Sequence, residues 1–259
     1  MMDRSGRGDY SSNRHTTKTA SCCPPYLRGT EMRVAVFGDS HAEALFAAFP
    51  SVHIYWIGPV TMHRIGRDGI ASMLTPRWGF SRFRRHILRR YDHVLLSFGE
   101  IDSREHIERI ARKKAIDIEV VVDDLTERYL DAVEDYFGVS KVPVILCVPP
   151  VTPYANTTEQ KDLRDRVNAL LAMKCESRGI SFLDYYKAAP LDDRRIADGH
   201  HDGNVHFDPA ATGFLARYLE AITSHAVAHD PSYRKQPDRL QRHRTVRARL
   251  KQALLRPFM

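Results

Sequence analysis

No apolar run in this 259-residue chain approaches the roughly 18–20 residues that a membrane-spanning helix needs, because proline, glycine or charge interrupts every candidate. The opening stretch, MMDRSGRGDYSSNRHTTKTASCCPPY, lacks the apolar centre of a secretory leader. Cysteine is scarce as well. The four are Cys22, Cys23, Cys147 and Cys175, with no CxxC and no metal-type spacing, which argues against a disulfide scaffold and a zinc ribbon. Cys147 sits in an apolar strand pattern and Cys175 in an amphipathic helix, where a buried reduced thiol is the ordinary state. Vicinal Cys22–Cys23 has soft-metal or oxidation chemistry available to it, but it stands in a polar segment without periodicity. These absences together predict a cytoplasmic protein without metal or cofactor.

What is present is globular: 43% hydrophobic and 27% charged residues, close to the average of folded domains. The net charge of +7 is unevenly placed. Nine arginines and lysines stand between His225 and Met259 against Asp230 and Asp238, a surplus equal to that of the whole chain. The basicity therefore belongs to the C-terminal segment and not to a face of the domain. Residues 1–31 are polar and aperiodic and read as a disordered extension, 32–224 as one α/β domain, and 225–259 as a basic tail. Leu240, Val246, Leu250 and Leu254 would give that tail a thin helical stripe, suited at most to weak contact with an anionic surface.

Within the domain, short apolar runs alternate with helical periods. Arg33–Phe37, Val52–Ile57, His93–Phe98, Val142–Val148 and Ile180–Leu183 read as strands. Between them lie an irregular stretch after Gly58-Pro59, a basic helix near Arg82–Arg90, and amphipathic helices around Val122–Tyr136 and Leu163–Leu171. A last helix is capped by Asp208 with Pro209 at its first turn. Continuous apolar strands separated by helices imply a parallel sheet covered on both faces, with ligands at the carboxyl ends of its strands.

The polar clusters fall at those ends. The first strand runs into Gly38-Asp39-Ser40-His41, a turn that exposes a hydroxyl at a helix start. The third runs into Gly99-Glu100-Ile101-Asp102-Ser103-Arg104-Glu105-His106; helix capping by Asp102 or Ser103 accounts for part of this, and leaves Glu100, Arg104 and His106 without a structural reason. Asp202 and His206 stand in a loop before the last helix. A serine needs a base to take its proton, and histidine oriented by a carboxylate is the usual one. A metal set from His200, His201, Asp202 and His206 is the weaker reading, for want of a distant further ligand.

Taken in order, GDS after the first strand, glycine after the second, Gly-x-x-Asp after the third and an Asp–His loop before the last helix resemble the sequence blocks of the SGNH (GDSL-type) hydrolases and acyltransferases. The resemblance covers about residues 32–224. GDSH, IGPVTMHRIGRDG and FGEIDSR look like a poorly characterised bacterial subgroup. It implies a three-layer flavodoxin-like fold with a central parallel sheet of about five strands. It also implies a serine esterase working through an acyl-enzyme, acting on a small-molecule or glycan ester. Ser40 would be the nucleophile, His206 the base and Asp202 its orienting acid, with the N–H groups of Ser40 and Gly58 in the oxyanion hole. Asp39, His41, Gly99, Glu100, Asp102, Arg104 and His106 would line or support the site. An O-acyltransferase to a sugar hydroxyl, or a non-catalytic glycan-binding relative, fits the same blocks. Two positions depart from the family pattern. Ile101 stands where an asparagine usually donates to the oxyanion, which leaves Arg104 either to replace that donor or to hold an anionic substrate. Asp202 and His206 are separated by three residues where two are usual, which weakens the assignment of Asp202.

Overall fold

A computed structural model describes residues 33–73, 80–138, 143–150, 157–203 and 205–239. The strands are β1 (Val34–Gly38), β2 (Val52–Trp56), β3 (His93–Ser97), β4 (Val144–Leu146) and β5 (Ser181–Leu183). They form one parallel sheet in the order β5-β4-β3-β1-β2. β1 is central, pairing Val36 with Ile54 of β2 on one side and with Leu95 of β3 on the other.

Alternation along β1 divides the core in two. Ala35 and Phe37 face a layer that includes α2 (Met62–Asp68), α4 (Phe80–Arg90), α6 (Ile118–Phe137) and α7 (Thr158–Ser177). Val34 and Val36 face α1 (Ser40–Phe46) and the C-terminal helical segment. Both faces are thus apolar, which is why β1 reads as a continuous hydrophobic run. The chain passes from β1 outward to β2 and then back across to β3, so a crevice opens at the carboxyl ends of β1 and β3, where such folds bind ligands.

Three departures from the sequence reading matter for the site. The stretch after Gly58-Pro59 is helical, not irregular: Thr61 caps α2 by accepting the Arg64 N–H at 3.1 Å, and α3 (Ile70–Met73) follows. The last helix starts where expected, with Asp208 accepting the Ala210 N–H at 2.9 Å. Its first part (Pro209–Leu215) is wound as a tighter 3₁₀ helix before α8 (Ala216–Thr223). Finally, the segment after Ser224, read as the beginning of a tail, lies on the domain. Asp230 and Lys235 donate backbone N–H groups to Ala48 and Ala47 at 2.9 Å each, and the His229 ring packs 5.0 Å from that of Phe49. A two-residue strand, β8 (Asp238–Arg239), extends the sheet beside β2. Before it, Leu191–Asp192 (β6) and Arg195–Ile196 (β7) form a separate hairpin. The disordered extension expected for 1–31 and the expected helical stripe beyond Arg239 lie outside the described residues.

Candidate active site

β1 ends against its neighbours. A side chain at Gly38 would set its Cβ 2.4 Å from that of Ala42 and 2.6 Å from the Ser97 carbonyl, so only glycine fits. Asp39 then caps α1, its Oδ1 accepting the His41 N–H at 2.9 Å. This cap makes Ser40 the first helical residue and leaves its side chain exposed between the buried Asp39 and His41. Its N–H belongs to the first turn of α1, where backbone donors have no partner within the helix.

The loop before the 3₁₀ turn brings the other two residues to Ser40. His201 and Phe207 form an antiparallel bridge, and the Asp202 N–H donates to the His206 carbonyl at 3.0 Å. The loop closes on itself, which absorbs the extra residue between Asp202 and His206. One Asp202 oxygen accepts the His206 backbone N–H at 3.2 Å, and the other lies 2.9 Å from His206 Nδ1. A carboxylate only accepts, so Nδ1 carries the hydrogen and Nε2 presents its lone pair. Ser40 Oγ lies 2.9 Å from that Nε2, within the reach expected of a nucleophile and its base.

Gly58 follows β2, where the Ile57 N–H donates to the Gly38 carbonyl at 2.9 Å and ties the two strand ends together. Gly99 follows β3 with φ +106°. A Cβ there would lie 2.7 Å from Val148 Cγ2 and 2.8 Å from Met62 Cε, so both its backbone and its surroundings require glycine. The chain then winds through a wide π turn, Asp102–His106, into α5 (Ile107–Lys114); such turns concentrate at functional sites.

The residues in and before this turn divide into two groups. Asp102 is fully buried and accepts the Met62 and His63 N–H groups at 2.6 and 3.2 Å, while His106 Nδ1 lies 3.6 Å from it. Asp102 therefore adds to the Thr61 cap of α2, forty positions away, rather than capping its own helix, and its side chain is shut off from solvent. Glu100, also buried, receives Arg104 Nε at 2.7 Å and Nη2 at 3.3 Å, and His41 Nε2 lies 3.5 Å from it. Burial alone would raise the Glu100 pKa, but hydrogen bonds and charge from His41 and Arg104 outweigh it and hold the group at about 2. Asp39, buried beside this pair, is pushed up mainly by desolvation.

Arg104 is not placed as the missing oxyanion donor. Its third nitrogen, Nη1, lies 2.7 Å from Glu105, so all three nitrogens meet carboxylates. Gln160, at the start of α7, completes this corner by donating to the Arg104 carbonyl at 3.3 Å. It was not legible in the sequence, where its only visible role is the capping box that it forms with Thr157. Among the described residues no three His, Cys, Asp or Glu side chains converge as a metal site, and no helix is long and apolar enough to cross a membrane.

No family model matches the chain, and no curated protein matches it by sequence. Solved structures do. A protein of Bacteroides fragilis named as an acylhydrolase superposes with a TM-score of 0.52 at 16% identity, over 75% of this chain and 88% of its own. A protein of Streptococcus pneumoniae named as a platelet activating factor gives 0.52 at 13%, over 76% and 86%. A GDSL-like lipase of Bacteroides thetaiotaomicron gives 0.48 at 16%, over 75% and 86%. At such identities the likeness is one of fold: a central parallel sheet of five strands between helices, as in the two structures that superpose at 0.52.

Proposed function

We propose that this chain is a serine-dependent ester hydrolase that works through an acyl-enzyme. The observation that carries the reading is the unbroken chain Ser40 Oγ, His206 Nε2, His206 Nδ1, Asp202 Oδ2, with 2.9 Å at each hydrogen bond. As Ser40 Oγ attacks the ester carbonyl, its proton passes to His206 Nε2, and Asp202 stabilises the imidazolium through Nδ1–H. The carbonyl oxygen takes up the negative charge, for which the N–H groups of Ser40 and Gly58 are the proposed donors. Collapse breaks the bond to the alkoxide, which leaves with the proton held on Nε2. Water, deprotonated by the same nitrogen, then attacks the acyl-enzyme, and the acid and Ser40 are released.

The arrangement also fits the place of the site in the fold. Ser40 lies at the crevice between β1 and β3, and side chains from three separate segments meet there. Labelling with a fluorophosphonate probe tests the reading before any substrate is known. Wild type is expected to take up one label, and Ser40→Ala none. A folded wild type that stays unlabelled, or a Ser40→Ala variant that still labels, refutes it.

A further inference from the structure

The domain is close to neutral in total charge, but that charge is not evenly spread. α4, with the sequence FSRFRRHILRR, holds five arginines and no acid. Its apolar side faces the core, where Phe83 and Ile87 are buried and the Phe83 ring meets that of Tyr55 in β2 at 5.7 Å. Arg84 turns inward to the Phe137 carbonyl at 3.3 Å. Arg85, Arg89 and Arg90 stand exposed, and among the described residues none of the three makes an ion pair. Arginines on the opposite part of this layer behave differently: Arg128, Arg166 and Arg178 sit against Asp124, Glu119 and Asp131. The helix dipole accounts for Arg89 and Arg90, which occupy the last turn of α4. It does not account for Arg85, four positions before Arg89, a like-charge spacing that opposes helix formation.

The same edge of the sheet releases the basic tail. Tyr55, whose ring packs on Phe83 of α4, pairs through its backbone with Asp238 of β8. Arg90 and Lys235 share this surface. Burial chiefly, and these two charges in addition, hold the His53 pKa below its ordinary range against the pull of Asp238. The chain leaves β8 at Arg239, and residues 240–259 add six arginines and lysines and no acid. Among them stand Leu240, Val246, Leu250, Leu254 and Phe258. The phosphate backbone of a nucleic acid takes up cations and leaves such apolar residues idle, whereas the interface of a bilayer takes both. Tyr233, two residues before Lys235, is 36% exposed, and tyrosine suits the headgroup level. We propose that the outer face of α4 and the basic tail form one docking surface for an anionic lipid bilayer. Ser40, Asp202 and His206 do not belong to it, so docking is independent of the hydrolase reading.

Co-sedimentation of the full chain with vesicles tests this, using phosphatidylcholine alone and phosphatidylcholine with about 30% phosphatidylserine. The protein is expected to bind only the anionic vesicles at about 0.1 M salt, and about tenfold more weakly at about 0.5 M, where screening shortens the reach of each charge. Arg85→Gln/Arg89→Gln should lower the partition coefficient about 25-fold, at about fivefold for each charge near the surface. Arg247→Gln/Arg249→Gln in the tail should lower it about as much. Arg85→Lys/Arg89→Lys should bind like wild type, because a headgroup surface reads charge and not the guanidinium fork; a purely structural use of the two arginines predicts no such rescue. Melting temperatures confirm folding, and the comparison of vesicles by the wild type stays decisive if the glutamine pair impairs it. Equal binding to neutral vesicles, no binding to either, or undiminished binding by a folded Arg85→Gln/Arg89→Gln overturns the proposal. Tighter binding of duplex DNA than of anionic vesicles in the same buffer also overturns it, and makes the surface one for nucleic acid.

Discussion

Asparagine at position 202 should be at least as damaging as alanine, and the reason lies in the two bonds that Asp202 accepts. One oxygen takes the His206 backbone N–H and the other takes Nδ1–H. An amide has only one oxygen to offer. If it stays on the backbone N–H, the NH₂ group faces Nδ1, which must then hold the lone pair. The ring proton moves to Nε2, and the base can no longer accept from Ser40. If the amide turns over, Nδ1–H keeps its acceptor, but NH₂ confronts the backbone N–H at a cost of about 1–3 kcal/mol. The competent fraction falls by about 5- to 150-fold on that count. The lost charge adds less than it would in a closed site, since the Asp202 side chain is 35% exposed and solvent screens it. We expect Asp202→Asn to label about 10²-fold more slowly than wild type, the largest effect that this competition allows. In Asp202→Ala, water can reach both donors and leave the useful tautomer accessible. Second-order rate constants for fluorophosphonate labelling, with melting curves to confirm folding, measure both variants. Wild-type labelling by Asp202→Asn, or alanine much slower than asparagine, would refute the tautomer argument.

Two further outcomes follow from burial and contact. Glu100, held at about 2 against an ordinary 4.5, contributes about 3 kcal/mol of stability that is complete above pH 4.5 and disappears as pH falls through 2. Asp39 opposes it, because its raised pKa favours the protonated form and so stabilises the fold only at low pH. Urea midpoints between pH 5 and 2 should therefore slope less in Glu100→Gln than in wild type, and parallel slopes would contradict the assignment. Truncation after Ser224 should cost about 2 kcal/mol, or roughly 4–8 °C in melting temperature, relative to truncation after Arg239. It strips His229 from Phe49 and the β8 pairing from β2; equal melting temperatures would show those contacts to be idle.

The sheet was legible because parallel strands buried on two faces must be apolar throughout, and β1 to β3 have no other reading. The packed segment after Ser224 was not, because Val227 is its one aliphatic side chain packed against the core among the described residues and most of its attachments are polar. Asp230 and Lys235 attach by backbone N–H groups to Ala48 and Ala47, Lys235 Nζ reaches the Pro50 carbonyl at 2.7 Å, and Asp238 reaches His53 at 2.9 Å. Polar and backbone contacts of this kind leave no period in a sequence, so the arginine and proline content of the segment read as a tail. The helix after Gly58-Pro59 was missed for a related reason. Thr61 offers a local cap, but two other first-turn N–H groups are satisfied by Asp102, forty positions away.

The candidate site shows the same division in a sharper form. Ser40, Asp202 and His206 were legible because each stands at a chain reversal with chemistry that the reversal does not need. The separation of Asp202 from His206 counted against the acid only while the loop between them was treated as open. Pairing of His201 with Phe207 closes it, and spacing in sequence then ceases to measure distance. Arg104 went the other way. A guanidinium beside a motif short of one donor reads as the replacement, and whether it is available depends on Glu100 and Glu105, which stand four positions before it and one after. Both carboxylates were in view; what the sequence could not supply was the π turn, which sets the directions of the side chains around it. Charge near a site is thus readable from sequence, but the direction in which it points is fixed by the backbone turn that carries it. Here that turn directs the positive charge onto Glu100 and leaves His41, not Arg104, beside the His206 ring.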